Sequence, residues 1–165
     1  MSLSKIRRKK QKGFTLVELM IVIAVIAVLA AVLIPKSNLV QNSARETGVL
    51  ANARQIQGII EGMMHKNYSS GSEFRNALES KINGIDMTNP FTGKIDAEQR
   101  SAAEGPSGSH AVVISADAAP TDTGDSNEYK GIVWVQISDG TDLAIVITPY
   151  GADKLPIEGG PIRVR

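Results

Sequence analysis

The 165-residue chain contains no cysteine. That removes disulfide bonds, thiolate metal ligands and thiol nucleophiles, and it leaves an exported domain to be held by packing alone. Aromatic residues are scarce, with one Trp, three Tyr and three Phe, too few to argue for electron conduction through stacked rings. Only two histidines occur, His65 and His110, and no HExxH pattern accompanies them, so nothing points to a zinc site. There is no G-x-S-x-G elbow, no Walker loop and no G-x-G-x-x-G. These absences leave no cofactor expected and no catalytic centre to name. No internal repeat is visible, and the length suits one domain of ordinary size.

Acidic residues are missing from one place in particular. None precedes Glu18, whereas Lys5, Arg7, Arg8, Lys9, Lys10 and Lys12 crowd the same stretch. From Phe14 onward the chain carries twelve basic against seventeen acidic side chains, a balance of −5 that the overall +1 conceals. A mildly acidic body gives no sign of a nucleic-acid partner. The basic block beside an apolar run reads instead as a topology signal that keeps the N-terminus in the cytoplasm.

That run, FTLVELMIVIAVIAVLAAVLI at residues 14–34, has only Thr15 and Glu18 as polar members of its 21 positions. As a helix it is about 30 Å long, the thickness of a bilayer's hydrocarbon core. It is too long for the core of an ordinary secretory signal, and no A-x-A site lies close behind it. A plain membrane anchor accounts for the length and the charges. It leaves Glu18 as an unexplained cost of about 2.5–3.5 kcal/mol.

Basic residues, then Gly13, then Phe14-Thr15-Leu16-Val17-Glu18, resemble the N-terminus of type IV pilins and of the pseudopilins of type II secretion. Pro35 falls where many members carry a proline. The resemblance is strong over about the first 35 residues and weaker beyond. It implies cleavage by a prepilin peptidase between Gly13 and Phe14, N-methylation of Phe14, and a mature chain of 152 residues. It also implies that Glu18 meets the terminal amine of a neighbouring subunit in a filament core; a pair within the chain, with Phe14 one turn away, is the alternative. An unpaired carboxylate in a dry bundle is strongly penalised, so such a pair sets register.

The implied partners are further copies of the chain, the peptidase, the pilus or type II secretion machinery and the cytoplasmic membrane. The precursor would be a single-pass membrane protein and the product a cell-surface filament. A pilus subunit is the first reading, a pseudopilin the second, and a signal-anchored exported enzyme a remote third. The chain departs from the family in two respects. Ala27 stands where many pilins have glycine, and the frequent C-terminal disulfide is impossible here.

The implied fold is α+β, with a long N-terminal helix packed against a small antiparallel sheet. Its divisions are a leader at 1–13, a helix at 14–66 whose 14–35 segment is the membrane or filament core, and a head at 67–165. The residues support that division. Val49, Leu50, Ala53, Ile56, Ile60, Met63 and Met64 recur at steps of three and four, one amphipathic stripe. Pro35 predicts a kink or local melting. Gly48, Gly58 and Gly62 weaken the helix, and Gly58 and Gly62 are expected to let the sheet approach closely. Ser72 is the expected N-cap of a short helix bearing Phe74, Leu78 and Ile82, closed by Asn83-Gly84.

Residues 85–110 read as a long loop. Strands are expected at 110–117, 129–138 and 142–150, the last two joined through Asp139-Gly140-Thr141, with Ile162-Arg163-Val164 as a short edge strand. Val133, Val135 and Ile137 share one face; Ile132 and Trp134 share the other, which loops must cover or leave partly exposed. Asn67-Tyr68-Ser69 matches a glycosylation sequon that three residues meet easily by chance. Asp117, Asp122, Asp125 and Glu128 in the 117–128 loop are weak calcium candidates. Their spacing is not that of an EF-hand, and a solvated acidic loop is the expectation.

Overall fold

The computed structural model describes residues 13–139 and 143–164, without the side chains of 33–37. The leader up to residue 12, most of the Asp139-Gly140-Thr141 link and the Pro35 side chain therefore lie outside the described residues. The chain forms two compact units that divide between Val40 and Gln41. Helix α1, Leu16–Met63, enters both, and its helical backbone continues through position 35.

In the first unit the described part of α1 is apolar on every side. Phe14, Leu16, Ile21, Ile26 and Val32 are each more than half exposed. In the second unit α1 narrows to one stripe. Val49, Ala53, Ile56, Ile60 and Met63 are buried at alternating steps of four and three, while Met64 emerges at 38% exposure. They join one core with helix α2, Gly71–Asn83, through Phe74, Leu78 and Ile82.

The N-cap of α2 is Ser70, not the expected Ser72. Ser70 Oγ accepts from the Glu73 N–H at 3.2 Å, and the Glu73 carboxylate accepts from the Ser69 N–H at 2.7 Å. The three-residue spacing of Ser70 and Glu73 gives a variant of the capping box in which the glutamate reaches back to the residue before the cap, an arrangement Ser72 cannot form with Glu73. Gly84 caps the other end, as expected.

The sheet has five strands in the order β1 (Ala97–Gln99), β2 (Val112–Ser115), β3 (Val133–Ile137), β4 (Ile145–Pro149) and β5 (Ile162–Val164). The α+β architecture agrees with expectation, but the sheet is mixed rather than wholly antiparallel. β1–β2 and β2–β3 are parallel; β3–β4 and β4–β5 are antiparallel. Antiparallel order is economical only across short links. Residues 100–111 and 116–132 are each long enough to carry the chain back to the strand's starting end, which parallel pairing demands. β1 lies within the expected loop; Ala-Glu-Gln has little strand character of its own and is ordered by its pairing with β2.

Strand alternation places the two faces of β3 as the sequence suggests. Val133, Val135 and Ile137 enter the core shared with α1 and α2. Ile132 and Trp134 join Val113, Tyr129 and Tyr150 in a second cluster, with Ala102 and Ala119 against it. Loops seal that cluster by hydrogen bonding. Trp134 Nε1 donates to the Asp117 carbonyl at 3.2 Å, the Ala102 N–H to Asp117 Oδ2 at 2.9 Å, and the Tyr150 hydroxyl to the Pro120 carbonyl. Burial, then the neighbouring Tyr129, holds Tyr150 above the usual phenol range, so its O–H remains a donor.

Without a disulfide, the C-terminal segment is tied by β4–β5 pairing and by side chains. Glu46 Oε1 on α1 accepts from the Ala152 N–H at 3.1 Å, and the Thr123 hydroxyl donates to the Lys154 carbonyl at 2.9 Å. The expectation for Gly58 and Gly62 is overturned. A methyl group added at either meets nothing within 4 Å, so neither faces the sheet; at Gly48 it would come within 2.9 Å of the Pro90 ring. The α-helical period turns 58 and 62 away from the buried stripe while 48 turns toward the 88–95 segment.

Two substitutions test this placement in the full chain held in detergent. Gly58→Ala should stabilise the fold by up to about 1 kcal/mol, the helix-propensity difference. Gly48→Ala should fall below it, because the Pro90 ring must move. Equal gains in thermal unfolding would show that Gly48 is not packed. Ile56→Ala, at the centre of the stripe, should cost about 2–5 kcal/mol.

Candidate functional site

The residues singled out at the N-terminus lie at the start of α1. Gly13 and Phe14 are non-helical and exposed, Phe14 at 87%. The helix begins immediately after Thr15 for a local reason. The Glu18 N–H donates to Thr15 Oγ1 at 3.2 Å, while Glu18 Oε2 accepts from the Thr15 N–H and from the Thr15 hydroxyl, both at 2.9 Å. This is a reciprocal capping box. Within the uncut chain, then, Glu18 is satisfied by Thr15, while the Phe14 nitrogen is still a neutral amide. The T-x-x-E pattern ahead of an apolar run was the available signal for Thr15.

The Gly13–Phe14 bond is thus left as accessible backbone just ahead of the cap. Pro35 lies in α1 well beyond this constellation. Among the described residues no helix is long and apolar enough to cross a membrane; the apolar side chains described without interruption end at residue 32, where those of 33–37 leave the description.

The acidic loop does not gather its carboxylates. Asp117 Oδ2 is spent on the Ala102 N–H, Asp122 Oδ1 accepts from the Gly124 N–H at 3.0 Å, and Glu128 Oε2 accepts from the Ser126 hydroxyl at 3.0 Å. Among the described residues no three His, Asp or Glu side chains come together as a metal site. Asp122 fixes backbone in its own turn, Asp117 ties the loop to Ala102, and Glu128 holds a neighbouring hydroxyl.

One charged cluster is built into the head. Glu98 on β1 accepts from the Ser107 N–H at 2.7 Å and from Arg100 Nε at 3.1 Å, with His110 Nδ1 at 3.5 Å. Ser107 Oγ also lies 3.5 Å from His110 Nδ1. The trio of serine, histidine and glutamate has the composition of a hydrolytic triad but not its geometry. Serine and acid face the same ring nitrogen, whereas the triad needs them on opposite ones. Burial of Glu98 opposes ionisation. The hydrogen bonds from Ser107 and Arg100, with the charge of His110, outweigh it and hold the carboxyl below its usual range. Sequence spacing alone gives no hint of this cluster, because the β1–β2 pairing brings its members together.

Residues 8–34 match the prokaryotic N-terminal methylation motif. Over 43 residues the chain is 56% identical to the type IV wide pilus major component PilA4 of Thermus thermophilus. That stretch is 26% of this chain and 33% of the relative, so the chain spans about a third of the relative's length. No solved structure matches the chain.

The lowered Glu98 pKa makes a directional prediction. A depressed carboxyl contributes stability above the ordinary glutamate pKa, about 4.3, and that contribution is lost as pH falls through the folded value. Glu98→Gln should therefore melt below the parent chain at about pH 6 and approach it below about pH 4. A gap that persists unchanged into acid would show that the network is not set by Glu98 ionisation.

Proposed function

We propose that this chain is a structural subunit of a type IV pilus. It is cut between Gly13 and Phe14, methylated on Phe14, and polymerised through the apolar segment 14–35, with the rest of α1, to Met63, leading into the 67–165 head. The observation that carries the reading is the all-round exposure of apolar side chains on the first part of α1. Monomeric soluble proteins rarely leave such a contiguous surface bare. Lipid covers it in the precursor, and other copies cover it in a filament. The similarity to a named pilus component favours a pilus over a pseudopilus.

Cleavage changes the electrostatics at the helix start. Before it, the Phe14 nitrogen is a neutral amide and Glu18 has only its Thr15 cap. After it, an α-amine with a reference pKa of about 7.7–8.0 is mostly protonated at neutral pH. Loss of the leader also removes the six positive charges of residues 1–13 that hold the chain at the cytoplasmic face. The processed helix is then free to leave the bilayer. In the dry bundle the Glu18 carboxylate of one copy pairs with the amine of another, and copies seated out of register leave both charges unpaired.

Replacing Gly13 with a bulky or charged residue should leave an uncut, membrane-bound precursor; normal processing would sink the cleavage assignment. Glu18→Ala should still be cut yet yield few filaments, and normal filaments from that variant alone would refute the register role. The intact mass of the sheared surface fraction tests the reading as a whole. A chain beginning at methylated Phe14 supports it, whereas processed protein confined to membranes points to a pseudopilin.

A further inference from the structure

Two exposed apolar features of the head stand in complementary settings. Leu155 is 47% exposed at the tip of the 151–158 loop. That loop is firmly tied. The Gly151 N–H donates to the Leu155 carbonyl at 2.8 Å and the Leu155 N–H to Asp153 Oδ1 at 3.1 Å, in addition to the bonds from Thr123 and to Glu46. Lys154 sits at φ +66°, a left-handed conformation that a non-glycine residue keeps only where its surroundings enforce it. The loop thus presents a leucine to water from a defined position, between the exposed acids Asp153 and Glu158.

The second feature is a recess of about 280 Å³ lined by Gly58, Ile59, Gly62, Lys81 and Ile85. Its wall is apolar at Ile59 and Ile85, the latter 43% exposed, and Lys81 stands in it as a cation. It has room for a leucine side chain, and Lys81 is opposite in charge to Asp153 and Glu158, which together outnumber the one cation beside Leu155, Lys154. Knob and recess cannot meet within one chain. Glu46, which holds the loop, precedes Gly58 and Gly62 on α1 by about 18–24 Å of helix rise. They can meet between copies displaced along α1. A contact between two different patches is heterologous and propagates instead of closing.

We infer that Leu155 of one copy seats in the Ile59–Ile85 recess of a second copy, with Asp153 and Glu158 facing Lys81. The inference rests on the proposed polymerisation and supplies it with a contact between heads. A single seat of this size is weak, but repetition along a filament multiplies it.

The absence of cysteine makes the test clean. Lys81→Cys combined with Asp153→Cys should give a ladder of disulfide-linked multimers in mildly oxidised surface filaments, and either change alone at most dimers. Filaments of the double variant without a ladder overturn the contact and leave polymerisation standing; no filaments from the unaltered chain overturn both. Gly62→Leu gives a second readout, since its side chain starts in open space within the subunit. The unfolding temperature should hold while the filament yield falls severalfold. An unchanged yield counts against the seat.

Discussion

Helix α1 has to satisfy two environments with one backbone. Where it enters the head, a single stripe from Val49 to Met63 is buried and the remaining faces are wet. Toward its start no face is polar, and the described chain offers nothing to cover it. Burying one large aliphatic side chain is worth about 1.5–3 kcal/mol, so the bare segment holds a driving force larger than the net stability of most domains. Under the proposed function its cover comes from lipid or from other copies. The exposed Gly13–Phe14 bond and the Thr15–Glu18 cap stand at the start of that surface.

Glu18 illustrates how a local contact and an intermolecular one can use the same group. In the uncut chain the carboxylate closes a capping box with Thr15, which satisfies donors at the helix start that would otherwise be orphaned. This lowers the burden of carrying an acid in an apolar segment before any neighbour is present. It also starts the helix after Thr15, so the Gly13–Phe14 bond stays outside regular structure. The proposed exchange of a neutral cap for a charged amine follows from making that cut.

The head shows how a cysteine-free domain closes its C-terminal region. Backbone pairing of β5 is supplemented by a carboxylate from α1, Glu46, and by a hydroxyl from the acidic loop, Thr123. The same loop covers the second face of the sheet over Trp134 and Tyr150. The 117–128 segment, whose acids were only weak calcium candidates, is a cover in which Asp117, Asp122 and Thr123 hold backbone in place. A hydrogen bond made this way constrains less of the unfolded chain than a disulfide, so the arrangement depends on several contacts acting together.

Much was legible in the residues because it depends on near neighbours. The apolar run, the stripe from Val49 to Met63, the Phe74-Leu78-Ile82 face and the alternation of β3 are set by helical and strand periods, which any short run of the chain displays. The cleavage and methylation signal lies within a few positions of Gly13, and even the Thr15–Glu18 cap is a three-residue pattern that could have been read. Tertiary structure decided what depends on distant partners. Parallel pairing of β1, β2 and β3 follows from where long links return the chain. Strand β1 exists because β2 offers it hydrogen bonds. The hold of Glu46 on the C-terminal loop joins residues 106 positions apart. Side-chain period specifies which way a residue faces on its own element, but what it faces is settled only when the elements pack.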